Sequence, residues 1–177
     1  MKVMRLNTSE FLQWLRLYRH DLMNDLQIIQ GYATMGKYDK SNEKVNQLTE
    51  RLKDERLLQA LNADQFAYWL LTLSLAEKQL EVTYDIDVED SDLKSIDEQM
   101  KVDSENIIER LFKHINEYEI KPVHIVVSGH NSTLLSFEIV LNKGQHEVFM
   151  NDLTFNGKLQ NKTSEDESLK FTIEYIN

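Results

Sequence analysis

The sequence predicts an α+β protein in two parts. Residues 1–60 form an N-terminal antiparallel helical hairpin, and residues 61–177 form a C-terminal α/β sandwich. Three observations carry this. Phe11, Leu15, Tyr18, Leu22, Leu26, Ile29 and Ala33 recur in steps of three and four, the period of one helical stripe. A second helical pattern follows after a short break. From Leu80 the period changes to two, the alternation of half-buried strands.

The first helix is expected from a cap at Thr8 or Ser9 to about Gly36. Lys37-Tyr38-Asp39-Lys40 then forms a loop. Ser41 or Asn42 can cap a second helix, whose apolar positions Val45, Leu48 and Leu52 continue to Leu57 and Leu58. So short a link folds the two helices back on each other. One hairpin has little to bury its stripe against. Two hairpins from two copies complete a four-helix bundle, so a homodimer is expected.

Asn62 and Gln65 have the spacing of a capping box and open a third helix. Phe66, Ala67, Trp69, Leu70, Leu71, Leu73 and Leu75 surround it, so it should be buried. Leu80–Val88 is the first strand. A polar helical region from about Ile96 to Tyr118 offers Ile107, Ile108, Leu111, Phe112 and Ile115 as a packing face. Three or four strands are read in the remainder: His124–Ser128, Leu134–Leu141, Glu147–Phe155 and Leu169–Ile176. Gly129-His130-Asn131-Ser132 and Asn142-Lys143-Gly144 are read as turns between them. A mainly antiparallel sheet with helices on one side results.

Composition removes several classes of function. The chain of 177 residues is 41% apolar, enough for a packed core, but no run of eighteen apolar residues predicts a membrane span. Met1-Lys2-Val3-Met4-Arg5 is not a signal-peptide pattern. Cysteine is absent, which excludes disulfides and thiolate metal sites and suits the cytoplasm. A net charge of −10 disfavours nucleic acid as a partner. The acidic segments Asp85–Asp92 and Glu165–Glu167 lack the oxygen-ligand alternation of a calcium loop and read as solvated loops or edges. His114, His124, His130 and His146 fall in different elements without ligand spacing, so they read as surface or strand residues and no metal site is expected.

One histidine stands apart. At about 100° per residue the stripe of the first helix spans roughly 80°, and His20 falls about 160° from its middle. Asn24 and Gln27 share that side, with Asp21 directly after the histidine. An exposed imidazole so surrounded, with no second catalytic group beside it, suits a phosphoryl carrier whose partner brings the rest of the chemistry.

His20, Asp21, Asn24, Leu26 and Gln27 match the His-Asp-x-x-Asn-x-Leu-Gln box of the sporulation-initiation phosphotransferase B family, which the segment resembles. Ile28-Ile29-Gln30-Gly31, Lys37-Tyr38-Asp39 and Phe66-Ala67-Tyr68-Trp69-Leu70 extend the resemblance, as does the order of elements along almost the whole chain. The resemblance implies a dimer joined by helical hairpins into a four-helix bundle. It also implies a C-terminal domain like a degenerate histidine-kinase ATPase domain. His20 would accept a phosphoryl group from the aspartyl phosphate of one response regulator and pass it to the aspartate of another.

Kinase activity fits poorly. The helix Asn106–Asn116 lacks a paired-asparagine pattern for magnesium, the chain has only five glycines, and no Asp-x-Gly-x-Gly run follows. His20 is therefore expected to be fed by another protein. No cofactor is expected in this chain; Mg²⁺ belongs on the partner regulator. Arg16 and Arg19 are expected to neutralise charge near the phosphoryl group. Asp21 either holds the imidazole tautomer or touches the regulator. Asn24 and Gln27 would position the regulator's loops. Met23, with Leu17, either makes an apolar docking patch or packs inside the dimer. A non-catalytic dimeric adaptor and an active kinase domain are the alternatives to a phosphotransferase.

Overall fold

The computed structural model describes residues 8–88, 92–116, 119–129, 131–151 and 153–176. The chain divides into two compact units, Met1–Lys53 and Asp54–Asn177.

The first unit holds α1 (Thr8–Thr34) and most of α2 (Tyr38–Ala60), which runs on into the second unit. Gly36 stops α1. Its φ of +69° is left-handed, and Lys37 N donates to Tyr32 O at 2.9 Å while Gly36 N donates to Ala33 O at 3.0 Å. These two bonds satisfy carbonyls that a helix end leaves orphaned, and the residue in the left-handed position is the one type that adopts it without a Cβ penalty. The link is shorter than the expected loop, and α2 starts at Tyr38 rather than at a cap on Ser41 or Asn42. Ser41 is buried instead, and its Oγ donates to Ile29 O on α1 at 3.1 Å. Arg51 and Asp25 pair across the same two helices at 2.9 Å. The rings of Phe11, Trp14 and Tyr18 stack in sequence along α1. The expected apolar stripe is only partly covered: Leu15, Tyr18, Leu22, Ile29 and Ala33 are half-buried, but Phe11 and Leu26 remain 44% and 46% exposed.

The second unit is a five-stranded sheet with α3 (Asp64–Ala76), α4 (Asp97–Phe112) and α5 (Lys143–Asn151). The strands are β1 (Leu80–Val88), β2 (Lys121–Gly129), β3 (Thr133–Val140), β4 (Lys158–Ser164) and β5 (Ser168–Tyr175), in the order β1-β2-β3-β5-β4. β1 runs parallel to β2; the other pairs are antiparallel. Val123, Ile125 and Val127, Leu135, Phe137 and Ile139, and Leu169, Phe171 and Ile173 are all buried. Their sequence neighbours on these three strands are only half-buried or exposed. One face of the sheet therefore carries the core, with Phe66, Leu70, Ile107, Leu111 and Phe149 contributed by the helices.

Four sequence expectations are corrected here. Of the strand expected at Glu147–Phe155, residues 147–151 belong to the helix α5, and Asn142-Lys143-Gly144 leads into that helix instead of forming a hairpin turn. The buried positions of α5 are His146, Phe149 and Met150, an i, i+3, i+4 spacing that places all three on one helical face. The strand that pairs with β5 lies further on, at β4, where every residue is exposed. Third, Asn62 and Gln65 do not form a capping box. The N-terminus of α3 makes no bond to its own cap side chain; Asp97 of α4 accepts from Gln65 N at 3.1 Å and Phe66 N at 2.8 Å. Asn62 adopts φ of 56°. The polar helix is also shorter than expected, ending at Phe112, and Tyr118 lies outside the described residues.

Candidate functional site

His20 sits near the middle of α1, and its side chain is 71% exposed. The helical stripe explains this, since the side of α1 that carries the stripe is opposite. Arg16, Arg19, Met23, Asn24 and Gln27 are exposed along the same stretch, and Asp21 is half-buried. Met23 is 52% exposed and Leu17 is 36% exposed within the chain.

Two side chains reach the imidazole, and both reach the same atom. Asp21 Oδ1 lies 3.2 Å from Nδ1, although neighbours on a helix diverge by about 100°. Asn24 Nδ2, one turn on, lies 3.3 Å from Nδ1. Among the described residues no hydrogen bond reaches Nε2. A ring held at one nitrogen keeps the other for a partner, which is the arrangement a nucleophilic imidazole needs. The sequence pointed to the cluster through its i, i+1 and i+4 spacing. That Asp21 and Asn24 converge on one nitrogen depends on their rotamers and was not readable from the spacing.

The other histidines are placed differently. His146 is buried, contrary to its reading as a surface or strand residue. Its Nε2 lies 2.7 Å from Leu141 O and its Nδ1 2.6 Å from Ser164 Oγ. It fastens α5 to the end of β3 and to β4. His124 lies on β2 between Thr83 Oγ1, at 2.9 Å from Nδ1, and Asp85 Oδ2, at 3.3 Å from Nε2. His114 packs edge-on against Phe149. His130 lies outside the described residues. Among the described residues no group of three or more histidine or acidic side chains could hold a metal ion, and no helix is long and apolar enough to cross a membrane.

On the second unit, Asn106, Glu109 and Arg110 of α4 line a cleft of about 230 Å³ with Lys113, Leu153 and Thr154. Arg110 Nη2 donates to Val148 O of α5 at 2.7 Å. Small-molecule sites usually occupy about 300–1,000 Å³, so this cleft is small for a nucleotide.

The chain is thus a long helical hairpin carrying an exposed histidine, followed by an α/β sandwich. Residues 1–61 match the sequence model of the Sensor_kinase_SpoOB-type alpha-helical domain. Over 169 residues the chain is 25% identical to sporulation initiation phosphotransferase B of Bacillus subtilis (strain 168), a match spanning 94% of this chain and 85% of that protein. The resemblance read from the His20 segment is thereby borne out. Among solved structures, the Acinetobacter baumannii histidine kinase AdeS aligns with a TM-score of 0.36 and 14% identity, covering 89% of this chain and 97% of that one. Histidine kinase ThkA, in complex with response regulator protein TrrA, aligns with a TM-score of 0.41 and 13% identity, covering 93% of this chain and 61% of that one.

Proposed function

We propose that this protein is a phosphotransferase of a two-component phosphorelay, with His20 as its phosphoryl carrier. The observation that carries the reading is the disposition of the ring: His20 is 71% exposed, and among the described residues both of its side-chain hydrogen bonds fall on Nδ1. The identity to a sporulation initiation phosphotransferase over 94% of the chain supports the same class.

In the proposed cycle, Nε2 attacks the phosphorus of a regulator's aspartyl phosphate in line. The N–P bond forms as the P–O bond breaks, and the electron pair leaves with the regulator's carboxylate. The same steps in reverse deliver the group to the aspartate of a second regulator. Such transfers depend chiefly on positioning and charge neutralisation. Asp21 accepts Nδ1–H and so keeps the Nε2 lone pair available. Arg16 and Arg19 meet the phosphoryl charge, and Met23, Asn24 and Gln27 border the regulator's docking area. The regulator contributes its own acidic pocket and Mg²⁺.

The reading includes a homodimer built on the hairpin. Phe11, Leu26, Val45 and Leu52 remain between 38% and 46% exposed in the single chain. A second hairpin would cover apolar positions that one hairpin cannot.

The test is transfer of label from a phosphorylated single-domain regulator to this chain. His20→Gln should abolish labelling while helicity and mass in solution stay unchanged. Label that persists in that variant would overturn the assignment. Regulator binding without any phosphohistidine in the wild type would instead mark an adaptor. Label taken up from ATP alone would mark a kinase.

A further inference from the structure

We infer that Asn24 is a positioning residue that sets how long His20 holds a phosphoryl group, by donating its amide to the unprotonated Nδ1 of the phosphorylated ring. This rests on His20 being the phosphoryl carrier.

The two contacts on Nδ1 make opposite demands. An amide nitrogen only donates, so the 3.3 Å contact from Asn24 Nδ2 uses Nδ1 as an acceptor. An ionised carboxylate only accepts, so the 3.2 Å contact to Asp21 Oδ1 uses an Nδ1–H. A neutral imidazole carries one proton. When that proton is on Nδ1, Asp21 is satisfied and Nε2 has its lone pair free. When it is on Nε2, Asn24 is satisfied and the nucleophilic nitrogen is blocked.

The partners exchange importance during transfer. Attack through Nε2 forms the N–P bond, expels the aspartyl carboxylate with its electron pair, and leaves a cationic ring whose Nδ1–H still faces Asp21. Loss of that proton to water gives the neutral phosphoimidazole. Its Nε2 is now occupied by phosphorus, and its Nδ1 presents a lone pair. The Asp21 oxygen opposes that lone pair, whereas the Asn24 N–H satisfies it. Departure of the ring requires Nδ1 to be protonated again, because neutral imidazole leaves far more readily than its anion. Asp21 therefore favours the states that react, and Asn24 favours the state that waits. His20 is exposed and water competes for Nδ1, so the contact is worth little, a change of about two- to threefold in a population or rate.

The experiment uses the whole chain and needs no regulator. Imidazole ¹⁵N spectra of the neutral ring report its tautomers, with the His20 signals identified by their loss in His20→Gln. Asn24→Ala should raise the ratio of Nδ1–H to Nε2–H at His20 about two- to threefold. Phosphorylation with phosphoramidate, followed by ³¹P spectra at neutral pH, should show the phosphohistidine of Asn24→Ala decaying faster by a similar factor. An unchanged tautomer ratio overturns the inference, and so does an unchanged lifetime. Both measurements stand apart from regulator labelling, so failure of the relay reading and failure of this inference are distinguishable.

Discussion

The carboxylate of Asp97 caps a helix to which it does not belong. Its Oδ1 accepts the backbone N–H of Phe66 at 2.8 Å, and its Oδ2 accepts that of Gln65 at 3.1 Å. Asp97 is itself the first residue of α4, so one side chain ties the starts of two helices together. The negative charge also lies where the α3 dipole is positive.

Asp97→Ala should therefore cost about 1–2 kcal/mol, the usual worth of a lost N-terminal cap. Urea denaturation followed by circular dichroism reads this directly. Asn62→Gly should be neutral or slightly stabilising in the same assay, since Asn62 contributes a left-handed backbone angle and no cap bond. A larger loss at Asn62 than at Asp97 would contradict this capping.

Asp103 is fully buried and accepts from Asn156 N, Asn156 Nδ2, Gly157 N and Tyr175 OH. It fastens the segment before β4 and the end of β5 to α4. Asp103→Ala should cost about 3 kcal/mol, because buried donors are left without a partner, and Tyr175→Phe about 1 kcal/mol.

Burial, followed by the hydrogen bond and charge of Asp103, pushes the Tyr175 phenol above its ordinary 10.0. With the folded value above the unfolded one, this stabilisation is full below pH 10.0 and is lost as pH rises further, because only the unfolded chain ionises there. Tyr175→Phe should lose less stability than wild type across that alkaline window. Parallel slopes in thermal melts would contradict the assignment.

Gly129 ends β2 with φ of +126°, and a Cβ there would stand 2.0 Å from Ser132 O. Backbone cannot yield as a flexible side chain can. Gly129→Ala should cost about 2 kcal/mol through strain at the β2–β3 turn. A midpoint within error of wild type in urea would show that the turn relaxes.

Glu138 is held below the usual carboxylate range, first by its hydrogen bond from Lys170 and also by one from Ser168. The folded value lies below the unfolded one, so this stabilisation is present above pH 4.5 and fades as pH falls through the folded value. Lys170→Gln should flatten the acid limb of melting temperature against pH. Glu138 is 39% exposed at its side chain, so the effect should stay below about 0.5 kcal/mol. An acid limb as steep as wild type would remove Lys170 as the cause.

Several elements were legible for plain physical reasons. Leu80–Val88 is a strand with the bounds its alternation suggests, and α1 follows its three-and-four stripe. β4 was not legible, because Lys158–Ser164 is exposed on every residue and joins the sheet through backbone pairing to β5; no side-chain period records a partner found through main-chain bonds. The helix α5 was misread because Val148, Phe149 and Met150 form a short apolar run, which strand and helix share.

The sequence by itself determined the exposed His20, the hairpin that presents it, and the resemblance of its surroundings to a phosphotransfer box. These are local properties, because helical period and near-neighbour spacing dictate which side chains share a face. Tertiary structure alone decided that Asp97 caps α3 and that Asp103 gathers the loop before β4, since each partner lies far along the chain. Rotamers within α1 decided that Asp21 and Asn24 meet on Nδ1 of His20. Helical spacing brings those side chains near the ring, and their rotamers select which ring nitrogen they hold and which they leave open.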